Sequence, residues 1–344
     1  MTIDLSVQKL SAAADFAAAI RPGQRICLTT HVNPDGDGIG SMVGLVHLLR
    51  ARGADPVIVS PTPIPPRYHF LLDGLTGVDR SAEAIKEIRR ADLLCVVDIA
   101  DPGRLGMLHD AVRDRGVPVA CVDHHVSAGT LPPGPRYVDP QASATGELVG
   151  ELAEANGWEI PPLVAQALYV AILTDTGGFR FSNTRPRVLR MAADLLECGV
   201  DPERIYLQVY ANAPEGRQRL LAEALQTLVV EREVGLSWIT IPPGSMERHR
   251  VSADDLDGVV EYARSVEGVR MALPFREIAQ GRVKVSLRSV GDVDVADFAK
   301  PFGGGGHRKA AGLSLEGALA EVQAEVLQAA RGYLSRGSSL SAVA

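Results

Sequence analysis

One short segment, His31-Val-Asn-Pro-Asp35-Gly-Asp37, places an imidazole and two carboxylates within seven residues, directly after the apolar run 26–30. Hard divalent cations accept carboxylate oxygens and imidazole nitrogens as ligands. Glycine lets the backbone turn tightly, so that closely spaced side chains can converge. We therefore interpret this segment as one wall of a metal site.

The same residues allow two other interpretations. The segment could be a solvated turn in which Asp37 caps the next helix, since Asp-Gly is a turn signal. It could also begin a calcium-binding loop, but Ile39 stands at the third ligand position and Val46 where a bidentate glutamate is needed. The calcium loop is thereby excluded, whereas the helix cap stays open.

Three further groups of acidic or imidazole side chains each follow an apolar segment. They are Asp98 after residues 93–97, the tripeptide Asp123-His124-His125 after residues 117–122, and Asp175 after the apolar helical pattern 161–173. Adjacent residues on an extended segment point to opposite faces, so we expect one imidazole of the pair to bind metal and the other to face substrate. Asp123 could orient one of the two rings. The alternative is a pair of surface histidines without a site.

Asp98 strengthens the metal interpretation. A carboxylate that emerges from a buried strand is costly to desolvate unless it is paired or bound to a metal. Asp101 and Arg104 are close in sequence and offer a local ion pair as the alternative explanation.

The number of candidate ligands indicates two ions rather than one. Six candidates are more than one ion needs, and two ions that share a bridging carboxylate account for them better. Such a pair, roughly 3.5 to 4 Å apart, lowers the pKa of a bound water and clamps the attacking and leaving oxygens of a phosphoryl displacement. Carboxylates and imidazoles without thiolates favour Mn²⁺ or Mg²⁺ over structural zinc.

A run of glycines in the second half is the next unusual feature. Gly303, Gly304, Gly305 and Gly306 precede His307, Arg308 and Lys309. The run matches neither a phosphate-binding Walker loop nor a dinucleotide fingerprint. Its backbone N–H groups could form an anion-binding nest, or it could be a flexible loop with incidental basic residues. Arg288 is a second candidate phosphate ligand, or an exposed strand residue.

The elements that must position these side chains alternate along the first half. Apolar runs predict strands at 26–30, 56–60, 93–97 and 117–122, and helical spacing predicts helices near 6–20, 38–52, 81–90, 104–115, 144–156 and 161–173. Continuous apolar strands are typical of a parallel sheet covered by helices on both faces, and the alternation predicts a doubly wound α/β domain. Ligands bind at the carboxyl ends of such strands, so His31, Asp98 and Asp123 should meet in one crevice.

The second half has a different pattern. Residues 283–287 alternate apolar and polar, which is typical of a half-exposed antiparallel strand. Further strands near 226–232, 236–241 and 269–278 and helices near 252–266 and 316–335 predict a smaller α+β domain. We expect a catalytic domain over 1–185, a helical linker over 186–215, a substrate-binding domain over 216–337, a cleft between the two domains, and a flexible tail over 338–344.

Composition limits the class of protein. The chain has 344 residues, 46% of them hydrophobic, which suits two globular domains. A net charge of −7 argues against a broad basic surface for duplex DNA. The four isolated cysteines fit a reducing compartment, and neither a leader-like N-terminus nor an apolar stretch of membrane-spanning length occurs. We therefore expect a cytoplasmic protein with no membrane partner.

These motifs in this order resemble the DHH phosphoesterases that carry a C-terminal DHHA1 domain, and the resemblance spans nearly the whole chain. The length is most similar to the nano-RNase and 3′,5′-bisphosphate nucleotidase group and less similar to the longer RecJ exonucleases. The resemblance implies catalytic roles for Asp98, Asp123, His124 and His125. It implies one ion on His31, Asp35 and Asp98, and a second on Asp37, Asp98, His124 and Asp175. Asp98 would bridge the two ions.

The resemblance also implies a substrate and cofactors. His125 would contact the scissile phosphate, and Arg288 with residues 303–307 would hold the terminal phosphate of a short oligonucleotide. The implied activity is hydrolysis of oligoribonucleotides of two to five residues to mononucleotides, and dephosphorylation of 3′-phosphoadenosine 5′-phosphate (pAp). Two Mn²⁺ ions are the expected cofactors, with Mg²⁺ or Co²⁺ as substitutes, and a homodimer is possible.

Three alternative functions fit the same residues. A phosphodiesterase for cyclic di-AMP or its linear product pApA could use the same site. A manganese-dependent inorganic pyrophosphatase shares a similar metal site, but should carry a Lys/Arg cluster in place of the glycine run. A nucleotide-binding regulator without turnover would not need a bridging carboxylate.

Overall fold

A computed structural model gives the fold, and it describes residues 5–75, 81–99, 101–126, 129–252, 256, 258–279 and 281–338. The chain divides into two compact units, Met1–Asn212 and Ala213–Ala344. The predicted flexible tail, apart from residue 338, lies outside the described residues.

The first unit is built on a five-stranded sheet in which every neighbouring pair is parallel. Its strands are β1 (Arg25–Thr29), β2 (Asp55–Ile58), β3 (Leu93–Val97), β4 (Val119–Asp123) and β5 (Arg136–Val138), in the order β2-β1-β3-β4-β5. The four predicted strands are confirmed as β1 to β4. The fifth strand, β5, was not predicted; it lies in the proline-rich stretch 131–140. This strand is three residues long and flanked by prolines, too short to give a periodic pattern.

Helices cover both faces of this sheet. They are α1 (Val7–Ala18), α2 (Gly36–Ala51), α3 (Ala84–Arg90), α4 (His109–Asp114), α5 (Thr145–Ala155), α6 (Pro162–Asp175), α7 (Pro186–Glu197) and α8 (Pro202–Val209), with 3₁₀ turns at Pro66–Leu71, Ser81–Glu83 and Pro102–Leu108. Ile26 and Leu28 of β1 pack with residues of α2, α5 and α6, whereas Cys27 packs with residues of α3 and α4. This alternation along a buried strand confirms the doubly wound α/β prediction.

The helices α7 and α8 occupy most of the predicted linker. Their apolar residues Val188, Met191, Ile205 and Val209 are buried in the same core as α6. Residues 186–212 therefore pack as part of the first unit.

The second unit contains a six-stranded mixed sheet. Its strands are β6 (Val229–Glu231), β7 (Leu236–Thr240), β8 (Met271–Ala279), β9 (Arg282–Ser289), β10 (Gly305–His307) and β11 (Ala310–Glu316), in the order β10-β11-β9-β8-β7-β6. Only β7 and β8 pair in parallel among these described strands. Its helices are α9 (Glu215–Leu225), α10 (Ser245–His249), α11 (Val259–Arg264), α12 (Val295–Ala299) and α13 (Leu319–Ser338), with a 3₁₀ turn at Lys300–Phe302.

The smaller α+β domain is thereby confirmed in the second unit. The antiparallel strand predicted at 283–287 lies in β9, which pairs with β8 and β11. The helix predicted near 252–266 is α11 over its last part, and residues 253–255 and 257 of that prediction lie outside the described residues. Across the described parts of both units, no helix is long and apolar enough to cross a membrane.

Candidate metal centre

Four chain segments bring their acidic and imidazole side chains together at one edge of the first sheet. The residues are His31, Asp35 and Asp37 after β1, Asp98 after β3, Asp123, His124 and His125 at and after the end of β4, and Asp175 at the end of α6. His31, Asp37, Asp98 and Asp123 are buried, and the Asp35 side chain is 55% exposed. The prediction that His31, Asp98 and Asp123 meet at the carboxyl ends of the strands is confirmed.

One side of the centre combines His31, Asp35 and Asp98. His31 Nε2 lies 3.4 Å from Asp98 Oδ2 and 3.8 Å from Asp35 Oδ1. His31 Nδ1 lies 2.8 Å from the carbonyl oxygen of Val32. Because a carbonyl only accepts, Nδ1 carries a proton, and Nε2 is directed toward the two carboxylates.

The other side of the centre is organised around His124. Its Nε2 lies 3.6 Å from Asp37 Oδ2, 3.5 Å from Asp98 Oδ1 and 3.6 Å from Asp175 Oδ2. Its Nδ1 faces the carbonyl oxygen of Ala142 at 3.3 Å. The ring therefore has the same orientation as that of His31, with Nε2 directed into the cluster.

Asp98 lies between these two sides. Its Oδ2 faces His31 and its Oδ1 faces His124, so one carboxylate contributes an oxygen to each. The backbone of Asp98 has φ 59°, a left-handed conformation that non-glycine residues rarely adopt. Such strain persists where the surrounding structure fixes it, commonly at functional sites. The suggested ion pair with Arg104 is absent, since no described residue forms an ion pair with Arg104.

The start of α5 holds two of the carboxylates in place. The backbone N–H groups of Thr145 and Gly146 donate to Asp37 Oδ2 and Oδ1 at 2.7 and 2.9 Å. The Thr145 hydroxyl donates to Asp98 Oδ1 at 3.0 Å, and Ser41 Oγ donates to Asp37 Oδ1 at 3.1 Å. These contacts of Thr145 and Gly146 could not be predicted from the sequence, because no local spacing relates the two residues to Asp37.

The cap interpretation of the first segment applies to Asp35 rather than Asp37. Asp35 is the N-cap of α2, and its Oδ1 accepts from the N–H groups of Asp37 and Gly38 at 3.1 and 3.2 Å. A capping carboxylate is held at the helix N-terminus, where its negative charge is stabilised. Capping and facing His31 are compatible, since a carboxylate has two oxygens with several lone pairs.

The two adjacent histidines do not point to opposite faces, and this part of the prediction was wrong. Their ring centroids are 4.4 Å apart, and His125 Nδ1 also lies 3.5 Å from Asp98 Oδ1. The reason is that β4 ends at Asp123, so residues 124 and 125 are no longer in an extended strand. Asp123 Oδ1 holds the His125 ring through Nδ1 at 2.8 Å and accepts from its backbone N–H at 3.1 Å.

Burial and mutual repulsion set the protonation of the centre. Burial raises the pKa of Asp37 and of Asp175, and the negative charge of Asp98 raises both further. Burial also acts to raise the pKa of Asp98, but the imidazoles around it outweigh this and lower it. Burial lowers the pKa of His31, yet its interactions with Asp35 and Asp98 raise it overall to about 10.

This donor set fits divalent cations. Among the described residues, no lysine or arginine forms an ion pair with Asp35, Asp37, Asp98 or Asp175. Ligand atoms of three groups lie within 4.8 Å of one another: His31 with Asp35 and Asp98, Asp37 with His124 and Asp175, and Asp98 with both His124 and His125. A group of buried carboxylates without lysine or arginine partners requires a further source of positive charge.

The predicted substrate-binding residues of the second unit lie on and beside β9 and β10. Arg288 Nε donates to Glu261 Oε1 at 3.2 Å. The N–H groups of Gly303 and Gly304 donate to the carbonyl oxygens of Lys300 and Ala299, both at 3.0 Å. These two donors are therefore already used within the chain, which removes them from the suggested nest.

The flexible-loop interpretation of the glycine run was wrong for its second half, because residues 305–307 form β10. Close packing explains the glycines there. A Cβ on Gly304 would lie 2.5 Å from the carbonyl oxygen of Gly312, and one on Gly306 would lie 2.5 Å from that of Ala310. Gly305, in contrast, has no atom within 4 Å of the position of a Cβ.

Comparison with known proteins identifies two domains. The DHH family, N-terminal domain, matches residues 25–172, and the DHHA1 domain matches residues 237–336. The bifunctional oligoribonuclease and PAP phosphatase NrnA of Thermus thermophilus is 34% identical over 325 residues, covering 92% of each chain. The protein of the same name from Bacillus subtilis is 28% identical, covering 84% of this chain and 89% of its own.

The fold is also found in a solved structure. The crystal structure of an exopolyphosphatase-related protein from Bacteroides fragilis superposes with a TM-score of 0.89 at 27% identity, covering 97% of this chain and 99% of the other.

Proposed function

The chain belongs to the DHH family of phosphoesterases, and we propose that it hydrolyses oligoribonucleotides of two to five residues to mononucleotides and removes the 3′-phosphate of pAp. The observation that carries this proposal is the position of Asp98, whose two oxygens face His31 on one side and His124 on the other. Two relatives named for both activities support the choice of substrates.

We assign the ligands of two divalent ions from the same geometry. His31, Asp35 and Asp98 would hold one ion, and Asp37, Asp98, His124 and Asp175 would hold the other. Such ions, when bound, would lower the pKa of a water and neutralise charge on the phosphate. The oxygen and imidazole donors favour Mn²⁺, with Mg²⁺ or Co²⁺ as substitutes.

The protein's own residues position the phosphate and the proton donors. Asp123 fixes the Nδ1 of His125, which leaves Nε2 to donate a hydrogen bond to the scissile phosphate. Burial lowers the pKa of His125, but the hydrogen bond with Asp123 and the negative charges of Asp98 and Asp123 together outweigh it, so the pKa is raised and the cationic form is favoured. Thr145 and Gly146 hold Asp37 in a fixed orientation, and Thr145 does the same for Asp98.

The second unit would bind the far end of the substrate. Arg288, with Gly305, Gly306 and His307, is assigned to the terminal phosphate, since the N–H groups of Gly303 and Gly304 are already used within the chain. Arg288 shares the single carboxylate of Glu261 with Arg264, so this group of three keeps a net positive charge. A bound phosphate would complete that pairing. A chain with a net charge of −7 and local cationic sites should prefer short substrates.

An activity panel tests the proposal. The purified protein is assayed with Mn²⁺ or Mg²⁺ on pAp, RNA dimers to decamers, pApA, cyclic di-AMP and pyrophosphate. We expect turnover of pAp and of RNA dimers to pentamers, with a steep decline toward the decamer. Equal rates from dimer to decamer would contradict the short-substrate proposal. Preferred hydrolysis of cyclic di-AMP or of pyrophosphate would replace it, and binding of pAp without turnover would indicate a regulator. The mass in solution, from light scattering, tests the proposed homodimer.

A further inference from the structure

The segment that follows Asp175 is rich in arginine and aromatic residues. Residues 177–190 read Gly-Gly-Phe-Arg-Phe-Ser-Asn-Thr-Arg-Pro-Arg-Val-Leu-Arg, and residues 176–193 contain no acidic residue. Such a concentration of positive charge is unusual in a chain whose net charge is −7. The metal centre uses none of these side chains.

Hydrogen bonds fasten this segment to the candidate metal centre. Asn183 Nδ2 donates to the carbonyl oxygens of Asp175 and Ser143 at 3.1 and 2.9 Å. Ser143 Oγ donates back to the carbonyl oxygen of Asn183 at 2.6 Å. The segment is therefore held directly beside Asp175, at one side of the candidate metal centre.

Two arginines of the segment lack acidic partners. Arg180 and Arg185 are exposed, and neither forms an ion pair with any residue in the described ranges; Arg180 Nε donates to the carbonyl oxygen of Gly177. Arg187 differs, because it pairs with the buried Glu147 and Glu151. The chain thus neutralises the inward arginine and leaves the other two available for an anion.

Exposed aromatic rings occur both in this segment and on α8. Phe181, Tyr206 and Tyr210 are 44%, 56% and 42% exposed. The Phe181 ring packs over Gly177, where a Cβ would lie 2.4 Å from the ring. The rings of Tyr206 and Tyr210 are 5.8 Å apart. Burial raises the pKa of the Tyr210 phenol, and the positive charge of Arg180 acts to lower it, so Tyr210 lies within electrostatic range of the arginine segment.

We propose that Arg180, Phe181, Arg185, Tyr206 and Tyr210 form a surface that binds the nucleotides next to the one cleaved at the metal centre. This inference rests on the proposed function and extends it to a second subsite. Arginines without acidic partners contact phosphates, and aromatic faces stack on bases without sequence preference. A second copy of the chain fits less well, since a two-fold contact through this surface would bring the same cationic surface of each copy together.

Substrates of different length distinguish the contribution of this surface from that of the metal centre. The Arg180→Ala/Arg185→Ala double variant should raise KM for an RNA pentamer about 10-fold more than KM for pAp, which has no neighbouring nucleotide. The slope of log KM against log salt should fall by about 1.4 for the pentamer, since each phosphate contact to a single strand contributes about 0.7. The matched control is Arg113→Ala/Arg219→Ala, two exposed arginines paired with acidic residues on their own helices. This control should match the wild type.

The tyrosines give a second, different signature. Tyr206→Leu/Tyr210→Leu keeps apolar bulk and removes the aromatic faces, so KM for the pentamer should rise while the salt slope stays unchanged. The surface proposal is overturned if either double variant affects pAp and pentamer equally, or if the arginine variant changes the mass in solution. The proposed function can fail separately. If the wild type hydrolyses no RNA, the anisotropy of a fluorescent RNA pentamer still measures binding, and loss of that binding in both variants would support the surface alone.

Discussion

The candidate metal centre of the first unit and the glycine segment 303–307 of the second unit both present polar groups beside strands, but only the first buries them. Asp37 and Asp98 are buried, and several donors fix their oxygens. Gly303 and Gly305 have open space around their Cα atoms, and Arg288 is only partly buried beside Glu261.

This difference indicates how each region depends on its ligand. The first unit holds several carboxylates close together without a lysine or arginine partner among the described residues, so bound cations would stabilise it before any substrate arrives. The second unit has no comparable demand, because Glu261 already compensates part of the charge of Arg288. Substitutions in the centre should therefore alter chemistry and ion content, whereas substitutions in the glycine segment should alter substrate affinity.

Removal of the shared carboxylate should give the largest effect. Asp98→Asn keeps the shape of the side chain but removes the charge that faces both imidazoles. We expect turnover of pAp to fall by about 10³-fold, the upper range for loss of one key electrostatic group. Elemental analysis should show fewer than two ions per chain.

Asp101→Asn is the matched control for this substitution. Asp101 lies three residues after Asp98, is exposed, and caps the 3₁₀ turn Pro102–Leu108. Asparagine is also a good helix cap. It should keep full activity and ion content. Full turnover and full ion content in Asp98→Asn would refute the shared carboxylate.

The next test compares two carboxylates within the centre itself. Asp37 is buried and accepts hydrogen bonds from Thr145, Gly146 and Ser41, whereas the Asp35 side chain is 55% exposed. Asp37→Asn would place an amide N–H against a buried N–H donor, and we expect a loss of about 10² in turnover. Asp35→Asn keeps its helix cap, so its loss should be about 10-fold. Turnover on pAp across a Mn²⁺ titration measures both, and a larger loss in Asp35→Asn would reverse the comparison.

The sequence was sufficient to predict most of the centre for a topological reason. Carboxyl ends of neighbouring parallel strands meet at one edge, so His31, Asp98 and Asp123 had to converge once β1, β3 and β4 were recognised. The directions of side chains at adjacent positions were much harder to predict. The expectation that His124 and His125 point to opposite faces was wrong, because the strand ends at Asp123, before either histidine.

Contacts between distant segments could not be predicted from the sequence. Thr145 reaches Asp37 across 108 positions, and no periodicity marks that contact. The pairing of β10 with β11 likewise depends on close backbone approach at Gly304 and Gly306. In the sequence alone, the same glycine run is equally compatible with a flexible loop. The partner of Arg288, Glu261, lies on a different element, α11.

Thr145 allows a smaller effect to be measured inside the centre. Thr145→Val removes the hydroxyl that donates to Asp98 Oδ1 and keeps the backbone N–H that donates to Asp37. Residues that orient a metal ligand typically contribute 10- to 100-fold, and we expect about 10-fold in turnover or in Mn²⁺ affinity. Thr145→Ser restores the hydroxyl and should restore activity. If serine and valine behave alike, packing rather than the hydrogen bond sets the effect.

Gly305 should show the smallest effect, and it tests the second unit. A Cβ at this position meets no atom within 4 Å, so Gly305→Ala should leave the free energy of unfolding within about 1 kcal/mol of the wild type. If the terminal phosphate of the substrate approaches this backbone closely, the added methyl group should raise KM for RNA dimers about three-fold and leave kcat unchanged.

Two other glycines make the Gly305 result interpretable. Gly332→Ala lies in α13, where a Cβ also meets open space, and it should leave KM unchanged. Gly306→Ala would bring a Cβ within 2.5 Å of a backbone carbonyl, so it should lower the thermal midpoint of unfolding, and any loss of activity would follow from the fold. An unchanged KM in Gly305→Ala would mean that the substrate does not contact this part of β10. The assignment of the terminal phosphate would then rest on Arg288.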